Sequence, residues 1–511
     1  MRLGFFFGAG AEIGYGLPSG GQFAIDLFRQ DPSEYKQAFR EQLSRLDAQS
    51  SYVTNWLPQG YADKRIHAFG RNEFTSLIES SIEYRRDEII RRLNQFDVEC
   101  ERAIQDLGID KADFENKFSA ETDNIFGERL YTHTIRLNAL LAQDVQLFGS
   151  QFYSSMLDLL RLRDGSDDLK RYVTSFLQLL VGAHGQQLVQ RLNQELFETA
   201  PDDLPIFDDI SGMFKLEFNR VGSTALELLL EEHRTFNIGP ESTATSIGCA
   251  IAQKVLENLF TTVLDYQKLI DDHFRYLFSP STEWAKFTRM AIFLNIARKY
   301  ISYQAPDPVT MPQVGYYHDL LSLLENGDEI AGIGTANYNS ILEKVANGIG
   351  LPLPQIHHLN GSTSDFYNPY KNSVVSCQEN EVPTDQIYVP FILTQSGLKP
   401  LTSVAMSRRY VHLFDEFSGS DAIIVVGFGF HKDDSHINGL FRELIESHNR
   451  PVYWVCRSVD GPAEQQQREV MRKLRVGQGF RHLVTVVPVD TSNRMINGKL
   501  WLDYIRDTIE M

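Results

Sequence analysis

The chain opens on an unbroken apolar run, Leu3 to Phe7, that stops at Gly8-Ala9-Gly10. A short apolar run bounded by glycines predicts a buried strand entering a tight turn. A helix is expected next, with Phe23, Ile25, Leu27 and Phe28 near its inner face. From residue 31 the pattern changes, and for about 270 residues helical periodicity replaces strand signal. Ile251, Val255, Leu259, Val263, Tyr266 and Ile270 follow one another at three or four positions, the spacing of one helix face. Val173, Phe176, Leu177 and Leu180 do the same. Pro306, Pro308 and Pro312 close this region, because prolines so near one another prevent a continuous helix.

Beyond them helix and strand alternate. A helix is predicted over Tyr316 to Leu324, a strand over Ile330 to Gly334, a helix over Asn339 to Ala346 and a strand over Gln355 to Leu359. Further strands are predicted at Ala422 to Val426, Val452 to Cys456 and Leu483 to Val487, with helices between them. Short apolar strands alternating with helices imply a parallel sheet covered on both faces. The expected fold class is α/β, with a core of residues 1–30 and 315–511 interrupted by an all-helical insertion over 31–314. Leaving after the first helix and returning ahead of the Ile330 strand, the insertion is expected to stand near the mouth of the cleft, gate it and make oligomer or partner contacts.

Composition narrows the functional classes. Against 67 Asp and Glu the chain has 49 Lys and Arg, a formal charge of −18, which repels a phosphate backbone. Arg85, Arg86, Arg91 and Arg92 are interleaved with Glu83, Asp87 and Glu88, an ion-paired helix face. No direct nucleic-acid binding is expected. Cys100, Cys249, Cys377 and Cys456 form no Cys-x-x-Cys pair, so neither a disulfide framework nor a four-cysteine metal site is expected, and a reducing cytoplasm fits. The N-terminal apolar run breaks at Gly8, Gly10 and Glu12, too early for an export signal. No run approaches the ~20 apolar residues of a membrane span.

The turn carries the first chemical signal. A strand ending in glycines lets backbone approach a diphosphate, and a following helix would offer free N–H groups. It is not the ordinary Rossmann fingerprint, since Ile13 stands where a third glycine would be. A tight turn without a ligand accounts for the glycines equally well.

Four segments resemble sirtuins, in that family's order. Gly8-Ala9-Gly10, five residues and then Gly16-Leu17-Pro18 resemble the family's opening Gly-Ala-Gly…Gly-Ile-Pro motif. Thr335-Ala336-Asn337-Tyr338-Asn339 resembles its Thr-Gln-Asn-Ile-Asp motif, and His358-Leu359-Asn360-Gly361-Ser362 its His-Gly segment. Ile423 to Phe430, with Gly427 and Gly429, followed by Asp433-Asp434, resembles the late nucleotide-contacting strand end. The resemblance covers residues 3–29 and roughly 315–490. It implies a Rossmann-type sheet that binds NAD, with Gly8, Ala9, Gly10, Ala11, Glu12 and Gly16 against the diphosphate. Thr335, Gly361, Gly427 and Gly429 would complete the nucleotide contacts. Asn337 would contact the nicotinamide ribose, where an amide can both donate and accept. Without a ligand, Asn337 would cap the following helix.

Two positions depart from the family. Glu12 replaces a small residue. It can cap a helix N-terminus or stabilise positive charge on a ribose, as carboxylates do in glycoside hydrolysis. Asn360 stands at the catalytic histidine position and cannot take a proton. If its segment is extended, His358 shares its face and can act as base or positioner; equally, His357 and His358 can be ordinary polar residues flanking a strand. The paired cysteines of the deacylating members' zinc module are absent between Ser362 and Gly427, where only Cys377 stands. The resemblance therefore implies an NAD+ glycohydrolase, without a metal, of the kind that acts in bacterial anti-phage defence. Such effectors imply homo-oligomers and a second defence protein, an ATPase or a nucleotide-processing enzyme. A catalytically silent NAD- or ADP-ribose-binding subunit is the alternative.

Overall fold

The N-terminal apolar run becomes β1 (Arg2–Phe7). It is joined by β2 (Glu329–Thr335), β3 (Ile356–His358), β4 (Ala422–Val426), β5 (Val452–Arg457) and β6 (Val484–Val489). All six pair in parallel in the order β3-β2-β1-β4-β5-β6. That is the doubly wound, Rossmann-like order, and the winding reverses between β1 and β4. The structure is a computed structural model. It describes residues 1–17, 20–128, 136–137, 146–160, 166–184, 197–199, 223–230, 236, 238–264, 267–306, 310–393, 403–458, 462–490 and 493–510.

Both faces of the sheet are dry, which is why its central strands read as continuous apolar runs. Leu3, Phe5 and Phe7 pack with Ile424, Val426, Tyr317, Leu320, Ile341 and Trp501 on one face. Phe6, Ile423 and Val425 pack with Leu413, Phe417, Phe441 and Val470 on the other. Each fully buried phenylalanine contributes roughly 1.5–3 kcal/mol. The helix Val404–Ser418 sits close on β2 because Gly332 and Gly334 face it, where a β-carbon would strike Glu416 and Leu413.

The chain forms two compact units, Met1–Ser19 with Asp31–Ala68 and Gln267–Met511, and Gly20–Gln30 with Phe69–Tyr266. These units differ from the expected division at 30 and 314, because packing crosses the sequence pattern. In the first unit, Phe39 meets Phe287, Trp56 Nε1 donates to Phe278 O, and Tyr52 accepts from the Ile387 amide. In the second, Arg29 of the helix Gly20–Arg29 donates to Leu229 O and pairs with Glu257. The expected all-helical character is corrected as well, since Arg136–Leu137 and Phe197–Thr199 pair as a small antiparallel ribbon.

The stripe from Ile251 is divided. Ile251, Val255, Leu259 and Val263 are buried on the helix Ala244–Val263, while Ile270 lies on Gln267–Phe274 and Tyr266 falls outside the described residues. The helix Trp284–Gln304 stops ahead of Pro306, and Pro308 lies outside the described residues. Tyr316 to Leu324 forms two short helices, Tyr316–Asp319 and Leu321–Glu325. A three-stranded antiparallel sheet of Ser373–Ser376, Gly361–Asn368 and Val389–Ile392 was not legible, because its first residues are polar and its pairing is non-local. Among the described residues no helix is long and apolar enough to cross a membrane.

Candidate functional site

In open α/β sheets a ligand crevice opens where the winding reverses, at the carboxyl ends of the strands. Here that point lies between Phe7 and Val426, which are paired neighbours. Gly8 N donates to Val426 O and Gly10 N to Gly427 O, both at 2.9 Å. A β-carbon on Gly8 would lie 2.6 Å from Gly427 O, and one on Gly427, whose φ is +65°, would strike Ala11 N. The opening glycines and the late glycine strand end are thus brought together, backbone against backbone, with no room for a β-carbon on either side.

The expected run from strand through turn into helix is corrected. The chain passes instead through two 3-10 turns, Ala9–Ala11 and Ile13–Tyr15, and the regular helix begins only at Gly20. The N–H groups of Gly8, Gly10, Ala11 and Glu12 are spent on backbone carbonyls. The exposed Ala9, Ile13 and Gly14 keep amides without an acceptor among the described residues. Gly16, at φ +87°, closes the second turn and is exposed, as is Gly429. Pro18 lies outside the described residues. Gly361 is buried at φ +82° against Phe391 O, an approach made to a neighbouring strand.

Glu12 is buried, 3% exposed, and although it stands at the N-cap position of the second 3-10 turn its side chain makes no capping bond. Its Oε1 accepts from Tyr317 Oη at 2.8 Å and its Oε2 from Asn339 Nδ2 at 2.7 Å. Burial pushes its carboxyl up to about 7, against hydrogen bonds from Asn339 and Tyr317 that favour the ion. Tyr15 stacks on Tyr317 at 5.2 Å, and its hydroxyl accepts from Tyr317 N. Asn337 N donates to Thr335 Oγ1, whose hydroxyl donates to Phe7 O. Its side-chain Nδ2 donates to Gly8 O at 3.1 Å and reaches Tyr317 Oη at 3.4 Å. Asn337 Oδ1 receives no donor among the described residues. Asn337 does not cap the following helix, Ile341–Ile349, whose N-cap is Ser340; Asn339 Oδ1 accepts from its first amide, Ile341 N.

His358 and Asn360 do not share partners, because β3 ends at His358 and the chain turns. His358 Nδ1 donates to Asn337 O at 2.9 Å, and Nε2 faces Glu343 Oε1 at 3.1 Å. Burial pulls this imidazole down, but Glu343 and the carbonyl outweigh it and hold it above its usual value. Both ring nitrogens of His358 are engaged. His357 points the other way, beside Glu416. Asn360 is buried, its Nδ2 3.4 Å from Asp434 Oδ1 and its Oδ1 3.2 Å from His436 Nε2. The His436 ring lies edge-on to Tyr410, whose hydroxyl donates to Leu359 O.

The motifs singled out Glu12, Asn337 and Asn360, but Tyr317, Asn339 and His436 were not foreseen as site residues. Asn339 lay inside a quoted motif and Tyr317 in the predicted helix, while His436 lies two residues beyond the quoted Asp433-Asp434, outside every motif. No family model matches the chain, and no curated protein or solved structure does.

Proposed function

We propose that this chain is a sirtuin-like NAD+ glycohydrolase, releasing nicotinamide and ADP-ribose. The observation that carries it is the meeting of Asn337 with the opening glycine loop at the switch point, through Asn337 Nδ2 and Gly8 O. A dinucleotide across this edge would set its diphosphate against the amides of Ala9, Ile13 and Gly14 and its ribose beside Asn337 Oδ1. The order of the four sirtuin-like segments supports the same reading.

The bond to be broken joins the ribose anomeric carbon to a cationic pyridinium nitrogen. Its electron pair leaves with neutral nicotinamide, the ribose takes on oxocarbenium character, and water adds to the anomeric carbon and gives up a proton. The leaving group needs no protonation, so the protein has chiefly to hold the ribose and position water. Asn337 Oδ1 would accept from a ribose hydroxyl or the water. His436, held by Asn360, would supply the imidazole that position 360 lacks.

By the same resemblance, the setting is a cytoplasmic effector of bacterial anti-phage defence. It would act as a homo-oligomer with a second defence protein, an ATPase or a nucleotide-processing enzyme. Purified protein incubated with NAD+, alone and with the neighbouring gene's product, tests this by chromatography. Nicotinamide release that disappears in Asn337→Ala supports the reading. Tight NAD+ binding without turnover favours a silent regulatory subunit, a possibility raised by Asn360 and the engaged His358. Neither binding nor turnover removes the nucleotide from the account.

A further inference from the structure

Asn337 can present either end of its amide to a ligand, and the two ends do opposite chemistry. Its orientation is set by the two acceptors behind it, Gly8 O and the hydroxyl oxygen of Tyr317. Glu12, as a carboxylate, can only accept. Tyr317 therefore spends its single proton on Glu12 Oε1, 2.8 Å away, and its oxygen is left to accept. The Asn337 group 3.4 Å from that oxygen must be the donor, Nδ2, whose other hydrogen goes to Gly8 O at 3.1 Å. Oδ1 is turned the other way.

We propose that Glu12 and Tyr317 form a buried polarity relay that fixes Asn337 with Oδ1 as a hydrogen-bond acceptor toward the nicotinamide ribose. Both are positioning residues, and the ligand end of the proposal rests on the NAD+ reading above. The three residues come from three chain segments, the glycine loop, the Tyr316–Asp319 helix and the loop after β2, so only the folded edge assembles them. Gly315 is part of the arrangement: at φ +159° it has no β-carbon to strike Tyr15, whose ring backs Tyr317.

Protonating Glu12 withdraws one of the two acceptors that hold Nδ2, since a carboxylic acid can donate to Tyr317 and free the phenol proton to point at Asn337, and leaves Gly8 O to hold the amide alone. With the carboxyl held near 7, the relay is set above that pH and lost below it. The groups facing it are Tyr15 of its own loop, Tyr317 and His318 of the Tyr316–Asp319 helix, and His358 of β3 with its partner Glu343. His358 titrates too, but it meets the carbonyl of Asn337, not its amide.

The test measures NAD+ affinity by calorimetry between pH 6 and 8 in the full-length wild type, Glu12→Gln and Tyr317→Phe. The wild type should bind about tenfold more weakly at pH 6 than at pH 8. Both variants should bind weakly and without that dependence. Tyr317→Phe leaves Glu12 and His358 in place, so retention of wild-type affinity and pH dependence in this variant overturns the relay. If the wild type binds no NAD+ at any pH, the functional reading fails. The relay is then judged alone, from the Asn337 side-chain amide signals in protein labelled with 15N at asparagine. Signals that titrate near pH 7 in the wild type but not in Tyr317→Phe support it, and signals indifferent to pH overturn it.

Discussion

His436 Nε2 stands 3.2 Å from the amide oxygen of Asn360, across 76 positions of sequence. The position that lacks an imidazole in the sequence has one against it in the fold. With Nε2–H donating to Asn360, the ring's basic nitrogen is Nδ1.

If that imidazole positions or deprotonates the attacking water, His436→Ala should lower nicotinamide release by roughly 10²-fold, the usual contribution of a general base. NAD+ affinity should change little. Single-turnover assays and calorimetry separate the two quantities. Full turnover in His436→Ala would remove His436 from the reaction.

The glycines of the switch point should divide by stability. Gly427→Ala places a side chain at φ +65° and against Ala11 N. It should cost about 1–2 kcal/mol for the left-handed backbone and a further 1–3 kcal/mol or so for overpacking. Gly14→Ala meets nothing within 4 Å and should be close to neutral. Urea denaturation of both variants checks the contrast.

Glu12 should make the folded state less stable as pH rises. Its carboxyl is raised from 4.5 to about 7 on folding. Between those values the native state holds a proton that the unfolded chain has released, so stability falls with pH and the full cost is present above 7. The cost is on the order of 3 kcal/mol. His358, raised in the fold, acts in the same direction, its contribution being present below 6.5 and lost through its higher native value. Glu12→Gln should therefore gain stability relative to wild type between pH 5 and pH 8. Thermal melts across that range would show it, and parallel melting curves would contradict it.

Asp365 is 1% exposed and pairs twice with Arg409 at 2.7 Å, while the same guanidinium donates to His358 O. Arg409→Ala leaves a buried carboxylate unpaired and should cost about 3–5 kcal/mol. Arg409→Lys should recover only part of this, because an ammonium cannot reproduce the two-pronged contact. Chemical denaturation measures both.

Local pattern by itself determined the strands of the parallel sheet. Leu3 to Phe7 and Ala422 to Val426 are apolar at every position because burial on two faces leaves no polar position to interrupt them. The glycines at 8 and 10 were legible as a turn, since backbone geometry is a property of the residue itself. The boundary of the helical region was not, because Phe39 on Phe287 and Arg29 on Glu257 are contacts between distant segments. Nor was the inside of the site. Glu12 could be named from its motif, but whether it caps a helix, meets a ribose or faces Tyr317 depends on which strand ends become neighbours. Hydrophobic burial sets those neighbours, and the side-chain hydrogen bonds of Glu12, Tyr317, Asn337 and Asn360 follow from the strand order, which no local spacing encodes.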